Sequence, residues 1–141
     1  MKIKIYYDHI KFRFRQTKSI KKFIEKVIRE EKRIPGDLNF IFTGDERITE
    51  INKSFLNHDY NTDVISFDNN RGKEINGDIY ISIDSVRDNS KIYHVRLREE
   101  LIRVMIHGIL HLCGYEDDRI EKKEGMFLKQ EKFVKDFFRG R

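Results

Sequence analysis

Residues 101–118 read LIRVMIHGILHLCGYEDD, and the interpretation of the whole chain starts from them. His107 and His111 are four residues apart, so on an α-helix their imidazoles lie on one face, one turn apart. The residues before and between them are mostly apolar, which predicts a largely buried helix. Gly114 follows, where a helix commonly ends with a left-handed residue. The stretch therefore predicts a buried helix that carries two histidines and ends at a glycine turn.

Two carboxylates, Asp117 and Asp118, follow the glycine turn, and either can return towards the imidazoles. Two histidines on a helix and one ligand after a turn form a three-ligand metal site with an open fourth position. Imidazole suits Zn²⁺, with Ni²⁺, Co²⁺ and Cu²⁺ as rivals. Such an ion would lower the pKa of a coordinated water and polarise a carbonyl or phosphoryl oxygen, which serves hydrolysis. The alternative is two histidines packed in a core.

The composition limits the class of protein. With 141 residues, 38% of them hydrophobic and 38% charged, the chain predicts one globular domain over residues 1–141 with a heavily charged surface. The single cysteine, Cys113, excludes a disulfide within the chain and favours a reducing compartment. There is no apolar run of membrane-spanning length, and the N-terminal residues alternate in polarity unlike a signal peptide. We expect a cytoplasmic protein with no membrane partner.

Positive charge is concentrated at the N-terminus. The net charge is +5, and residues 1–33 hold 12 lysines and arginines against 4 acidic residues. This asymmetry is typical of a protein that meets phosphates, although a lysine-rich solvated surface explains it equally well. Phe12 and Phe14 alternate with basic residues, a pattern that can stack on single-stranded nucleic acid. More often such phenylalanines face the core.

Hydrophobic periodicity predicts an α+β fold, a small mixed four-stranded sheet packed by helices. The predicted strands are 2–7, 38–43, 61–68 and 77–84, the last two forming an antiparallel hairpin. The predicted helices are 18–32, 45–58, 85–92, 93–112 and 119–138. A turn is expected at 33–37 around the only proline, Pro35. The helix at 93–112 is apolar on most sides and is expected to be central.

The position after the first histidine separates two kinds of zinc enzyme. In the protease motif His-Glu-x-x-His the glutamate is the general base. Gly108 occupies that position here, so the sequence argues against an ordinary peptidase. Hydrolysis of a peptide or another small substrate remains a minor alternative.

Residues 107–117, HGILHLCGYED, resemble the YbeY family signature His-Gly-x-Leu-His-Leu-x-Gly-Tyr-Asp-His. Residues 61–67, NTDVISF, are similar to the family's Thr-Asn/Asp-Val-Leu-Ser-Phe strand, and residues 77–79, GDI, to its Gly-Asp-Ile strand start. Residues 56–60, LNHDY, stand where the family has Leu-Asn-x-x-Tyr. The resemblance covers about residues 38–130.

The resemblance implies a zincin-like fold, one zinc ion and a single-strand-specific endoribonuclease. It implies a role in rRNA processing, notably 3′-end maturation of small-subunit rRNA, and in ribosome quality control. The implied partners are rRNA and the small ribosomal subunit, with no DNA. The alternative is a non-catalytic ribosome-assembly factor whose zinc is structural.

Two departures from the family pattern bear on the site. The family's third ligand is usually histidine, and Asp117 aligns with it, so the predicted metal ligands are His107, His111 and Asp117, with Asp118 as rival. An arginine that commonly follows the family's Leu-Asn-x-x-Tyr segment is missing, and Lys53, His58 and Arg71 are candidates to replace it. The general base is unassigned. Asp78 and Ser66 are expected either to line the cleft or to brace their strands.

Overall fold

The computed structural model describes residues 2–56 and 62–140. Its elements follow the predicted order of strands and helices and confirm the α+β class: β1 (Lys2–Tyr7), α1 (Thr17–Glu30), β2 (Ile34–Thr43), α2 (Asp45–Leu56), β3 (Val64–Asp68), β4 (Glu74–Ser82), α3 (Ile83–Ile92), α4 (Leu97–Leu112) and α5 (Ile120–Arg139). None of the helices in these ranges combines the length and the apolar character that crossing a membrane requires.

The four strands form one mixed sheet in the order β1-β2-β4-β3. β2 pairs in parallel with both β1 and β4, whereas β3 and β4 form the antiparallel hairpin that the sequence predicts. In that hairpin Ser66 pairs with Ile79 and Phe67 with Asp78. Successive residues of a strand point to opposite faces, so Ser66 and Asp78 lie on different faces of the sheet.

Helix α4 is central because its sequence offers an apolar surface on nearly every side. It packs against β3, β4, α3 and α5. Its fully or almost fully buried apolar side chains are Leu101, Ile102, Val104, Met105, Ile106, Ile109, Leu110 and Leu112. The predicted apolar stripe of α1 is buried too, through Ile20, Ile24, Val27 and Ile28. The two histidines of α4 are therefore held by a helix that the core fixes from several directions.

The aromatic residues of the basic N-terminal segment belong mainly to the core. Phe14 is buried and Phe12 is partly buried against the main hydrophobic cluster. The backbone N–H of Phe14 donates to the Tyr7 hydroxyl at 3.0 Å. The structure thus favours the core interpretation of these phenylalanines over nucleic-acid stacking.

The predicted turn at 33–37 is wrong. β2 begins at Ile34 and includes Pro35 and Gly36. Its pairing with β4 shifts register between Pro35 and Leu38, an irregularity that accommodates a residue without a backbone N–H. Proline therefore lies inside the strand at a bulge.

Helix α4 begins at Leu97, four residues after the predicted start at Tyr93. His94 has a positive φ of 55°, and Arg96 is extended. A left-handed residue cannot continue a right-handed helix, so Tyr93 ends α3 and a separate turn leads into α4.

Candidate metal centre

The three residues predicted as metal ligands lie together at the C-terminal end of α4. The Nε2 atoms of His107 and His111 are 3.1 Å apart. Oδ2 of Asp117 lies 3.6 Å from His111 Nε2 and 4.0 Å from His107 Nε2. In a tetrahedral zinc site with bonds of about 2 Å, ligand atoms are about 3.3 Å apart. The three atoms therefore have the spacing that one such ion requires.

The outer nitrogens of both imidazoles face oxygen atoms. His111 Nδ1 lies 3.1 Å from the Tyr115 carbonyl oxygen, which can only accept, so this Nδ1 carries the proton. His107 Nδ1 lies 2.7 Å from Gln130 Oε1. The amide nitrogen of Gln130 donates to Glu131 Oε2 at 3.2 Å, which leaves Oε1 to accept from His107. Both Nε2 lone pairs then face one point, an arrangement that a cation between them stabilises.

Electrostatics favour the neutral imidazole at His111. Burial lowers the pKa of His111, and the neighbouring His107 lowers it further. The Asp117 carboxylate and the hydrogen bond to the Tyr115 backbone oppose these effects without overcoming them. Neutral imidazole is the form that binds metals. The side chains remain accessible, at 28% for His107, 29% for His111 and 47% for Asp117, so the group opens to solvent.

The chain turns back to bring Asp117 to the histidines. Gly114, with φ of 105°, follows the end of α4 as predicted, and its N–H donates to the His111 carbonyl at 3.0 Å. Arg33 donates from Nη1 to the Cys113 carbonyl at 2.9 Å, so a second carbonyl at this helix end has a partner. The reversal fixes the position of Asp117 relative to the two histidines.

Asp118 points elsewhere. Its Oδ1 lies 3.8 Å from Lys122 Nζ, and its side chain is 64% exposed. Among the described residues, the group whose donor atoms all lie within 4.8 Å of one another consists of His107, His111 and Asp117. The geometry therefore brings Asp117, and not its rival, to the imidazoles.

Gly108 explains why a protease-type glutamate is absent. A Cβ at this position would lie 2.9 Å from Ile79 Cγ2 and 3.4 Å from Ser66 Oγ. Since real Cβ atoms essentially never come within 3.0 Å of another heavy atom, any residue larger than glycine would require Ile79 or the helix to shift. A glutamate between the two histidines would therefore disturb the contact between α4 and the sheet.

Two cavities meet at the three candidate ligands His107, His111 and Asp117, which are called the metal group below. The polar cleft has a volume of about 480 Å³ and is lined by Asn52, Thr62, Asp63, Val64, Ile65, Ser66, Asp68, His107, His111, Leu112 and Asp117. The apolar pocket has a volume of about 540 Å³ and is lined by His107, Asp117, Ile120, Lys123, Glu124, Met126, Phe127, Leu128 and Gln130. Since His107 and Asp117 line both, the metal group forms the boundary between the two cavities.

Ser66 and Asp78 were both considered as side chains that could line the metal cleft, and the structure places only Ser66 there. Ser66 lines the polar cleft, and its Oγ is 3.5 Å from the Gly108 carbonyl. Asp78 does not line it: its Oδ1 accepts from Asn39 Nδ2 at 2.9 Å, and it lines a separate pocket on the other face of the sheet. Of the two alternatives for Asp78, the structure therefore favours the one in which it braces its strand, because the hairpin register points it away from the candidate metal site.

The three cations considered as replacements for the missing arginine are not gathered at the metal group. Lys53 is exposed on α2 and lines neither cavity. Arg71 lies in the β3–β4 turn and lines the pocket that contains Asp78. His58 lies outside the described residues. Lys123 of α5, which the sequence did not single out, lines the apolar pocket beside Asp117.

Sequence reasoning also missed Gln130, the partner of His107. Gln130 is 7% exposed and shares the buried stripe of α5 with Met126 and Phe133. A polar side chain on an apolar stripe indicates a buried hydrogen bond, because buried polar groups are nearly always partnered. That signal predicts a bond but does not name its partner. The carbonyl of Tyr115 gives no sequence signal at all.

Comparison with known proteins gives a consistent family. A family model described as Endoribonuclease YbeY matches residues 3–138. Endoribonuclease YbeY from Flavobacterium psychrophilum is 51% identical over 108 residues, which cover 77% of each chain. The protein of that name from Cytophaga hutchinsonii is 42% identical over 125 residues, covering 88% of this chain and 87% of its own.

A solved structure has the same fold. The solution structure of TM1509 from Thermotoga maritima gives a TM-score of 0.67 at 29% identity. The alignment covers 97% of this chain and 89% of that chain, so the likeness includes the sheet and the helices around the metal group.

Proposed function

Because this chain belongs to the YbeY endoribonuclease family, we propose that it is a metal-dependent endoribonuclease that cleaves single-stranded regions of rRNA. Its cellular role would be rRNA processing, including maturation of the 3′ end of small-subunit rRNA, and ribosome quality control. The partners would be rRNA and the small ribosomal subunit in the cytoplasm. The observation that carries the proposal is the convergence of three donor atoms at the boundary of two open cavities.

We assign one zinc ion to His107 Nε2, His111 Nε2 and an oxygen of Asp117. Two imidazoles and a carboxylate are a common catalytic zinc set, which leaves a position for water or substrate. When bound, the ion supplies Lewis-acid chemistry, through acidification of water and polarisation of a phosphoryl oxygen. Asp117 contributes a negative charge where the family's usual histidine is neutral, so the ion held here should be a weaker Lewis acid.

The chain's own residues orient this group. Gln130 and the Tyr115 carbonyl hold a proton on each Nδ1, which keeps each Nε2 free to act as a ligand. Asp63 and Asp68 line the polar cleft, and none of the described residues lining it is a lysine or arginine. An RNA phosphate would be repelled by these carboxylates unless a bound cation offset them. The electrostatics of the cleft therefore support a metal.

The basic first third of the chain is assigned to the RNA backbone. Helix α1 buries its apolar stripe and exposes Lys18, Lys22, Lys26 and Arg29 on the opposite side. Lysine and arginine that neutralise phosphates make binding strongly dependent on salt. We expect the affinity for single-stranded RNA to fall steeply as the salt concentration rises.

The proposal is tested by measuring metal content and RNA cleavage on the same samples. The wild-type protein should carry a transition metal at neutral pH and cleave a single-stranded RNA in a chelator-sensitive reaction, and His107→Ala should lose both properties. His94→Ala, which removes an exposed histidine outside both cavities, is the matched control and should keep both. Wild-type protein that binds no transition metal at neutral pH would refute the mechanism.

A further comparison separates catalysis from a structural metal. A structural zinc site is usually closed by four protein ligands, whereas the ligand group here is solvent-accessible. His111→Ala should therefore remain folded while it loses cleavage. Loss of the cooperative unfolding transition in His111→Ala, together with any rRNA-processing defect, would point to a structural metal instead.

A further inference from the structure

The apolar pocket has an exposed wall that no part of the proposed cleavage uses. Ile120 is 76% exposed, Phe127 is 56% exposed and Leu128 is 70% exposed. They stand at i, i+7 and i+8 along α5 and so form one stripe. The adjacent face of the same helix is buried through Met126 and Phe133. An apolar stripe that lines a cavity, while another stripe of the helix supplies the core, is typical of a binding surface.

The position of this wall limits what can occupy it. His107 and Asp117 line the pocket together with the wall, and both also line the polar cleft. A phosphodiester held by an ion at His107, His111 and Asp117 would have one flanking nucleotide on the side of the polar cleft and the other on the side of the apolar pocket. An occupant of the pocket would then be continuous with the substrate of the proposed metal centre.

The chemistry of the lining fits a nucleobase. Phe127 offers an aromatic face, and bases of single-stranded nucleic acids stack on such faces with little regard to sequence. Lys123 lines the same pocket and supplies a cation that can meet a neighbouring phosphate. The volume of about 540 Å³ falls within the usual range of small-ligand sites.

We propose that the apolar pocket is a nucleobase-stacking subsite in which Phe127 holds the base next to the scissile phosphate and Lys123 contacts the adjoining backbone. The inference rests on the proposed function. A base inside a duplex is already stacked on its neighbours, so only an unpaired base can offer its face to Phe127. The subsite therefore contributes to preference for single-stranded RNA, while accepting any of the four bases.

Fluorescence provides a direct test, because the chain contains no tryptophan. The zinc-loaded Phe127→Trp variant is titrated with a nuclease-resistant 2′-O-methyl oligonucleotide, single-stranded or annealed to its complement. Stacking should quench the tryptophan at position 127 with the single strand and not with the duplex. Tyr93→Trp is the matched control, since Tyr93 is 62% exposed and lines neither cavity. Equal quenching at both positions would overturn the subsite.

An affinity cycle tests the same contact without a reporter. Phe127→Ala should weaken binding of the single-stranded oligonucleotide about 10-fold, the usual effect of losing one stacked base. A single abasic sugar, moved along the oligonucleotide, should at one position weaken binding to wild type by a similar factor. At that position it should have no further effect on Phe127→Ala.

The two failures of this test are distinguishable. If wild type binds the single strand and Phe127→Ala binds it equally well, the subsite is refuted and the proposed function stands. If the abasic effects are the same in wild type and in Phe127→Ala at every position, the subsite is refuted in the same way. Wild-type protein that does not bind single-stranded RNA at all would contradict the proposed function itself.

Discussion

The polar side chains of α4 have different hydrogen-bonding partners in the two halves of the helix. In the first half, Arg103 donates to Glu99 at 3.0 Å and to Glu100 at 2.9 Å, and its Nε and Nη2 bind both carboxylate oxygens of Glu131. In the second half, His107 and His111 direct their Nε2 atoms at each other. The arginine and the carboxylates are donors and acceptors for one another, so they stabilise the fold. The two Nε2 atoms are both acceptors facing one point, so they require a donor or a cation from outside the chain.

The ion-pair network around Arg103 also helps to position the two imidazoles. Glu131, which binds Arg103, accepts a hydrogen bond from Gln130, and Gln130 accepts one from His107. The ion network therefore fixes an amide that fixes an imidazole. If the two halves of α4 differ as described, changes in the first half should mainly alter stability and changes in the second should mainly alter metal affinity.

The largest effect is expected from removing Arg103. Arg103→Met leaves the nearly buried Glu100 without its ion-pair partner, and loss of one member of a buried pair typically lowers the free energy of unfolding by about 3–5 kcal/mol. Urea unfolding of metal-free protein measures this. Arg96→Met, at an exposed arginine beside the start of α4, should change stability by less than about 0.5 kcal/mol. Equal effects of the two variants would show that the network is not structural.

The next largest effect should come from Asp117, the proposed third ligand. Asp117→Ala should weaken zinc binding by more than about 100-fold, since the loss of a ligand exceeds the loss of an outer partner. Isothermal titration with zinc measures the affinity. Asp118→Ala, a neighbouring and more exposed carboxylate, should bind zinc within about 3-fold of wild type. Asp117→His should restore tight binding. The reverse ranking of the two alanine variants would transfer the ligand role to Asp118.

A smaller effect is expected from Gln130, the residue that joins the two halves. Gln130→Ala removes the acceptor of the His107 Nδ1 proton and should weaken zinc binding by about 10- to 100-fold. Gln130→Glu keeps an acceptor at that atom and should retain most of the affinity. The tautomer of His107, read from its ¹⁵N chemical shifts in metal-free protein, should change only in the alanine variant. An unchanged tautomer in Gln130→Ala would remove this residue from the site.

The smallest effect is expected in the pH dependence of stability when Glu100, a member of the Arg103 network, is replaced. Burial raises the pKa of Glu100 above its usual 4.5, although Arg103 lowers it. The contribution of Glu100 to stability is therefore present below pH 4.5 and is lost as the pH rises through the raised value. Between pH 4 and pH 7, the difference in stability between Glu100→Gln and wild type should move in favour of the variant.

The pH dependence of stability should have the opposite sign when Glu131 is replaced by glutamine. Burial raises its pKa, but hydrogen bonds from Arg103 and Gln130 outweigh burial and hold the pKa below 4.5. The contribution of Glu131 is present above pH 4.5 and is lost as the pH falls. Glu131→Gln should therefore lose stability relative to wild type as the pH rises from below the lowered pKa to above 4.5. The same sign in both variants would contradict these assignments.

Local patterns predicted most of the fold and the grouping of His107, His111 and Asp117. The apolar stripe of α1, the central position of α4 and the glycine after it all follow from spacing within a single segment. The ligand group depends on the i, i+4 spacing of His107 and His111 and on a reversal only a few residues long. Such features are set by short stretches of chain, which a sequence displays directly.

What the sequence left open, missed or predicted wrongly depends on contacts between distant segments. Asp78 faces away from the metal group because of the register between β3 and β4, which no residue of β4 encodes alone. Gln130 meets His107 only because α5 packs on α4, at a separation of 23 residues in sequence. Pro35 lies in a strand because β2 is bulged where it pairs with β4, and the sequence shows only a residue typical of turns.

The close contact at Gly108 also sets a limit for anyone who wishes to redesign this enzyme. A designer who places the protease glutamate between the two histidines would bring its Cβ against Ile79 and would force that side chain or the helix to shift. New hydrolytic activity is better introduced from the polar cleft, for example through Ser66, where the wall is a strand and the space is open. The candidate metal-binding side chains can be kept in such a design, but a general base would have to be introduced from another direction.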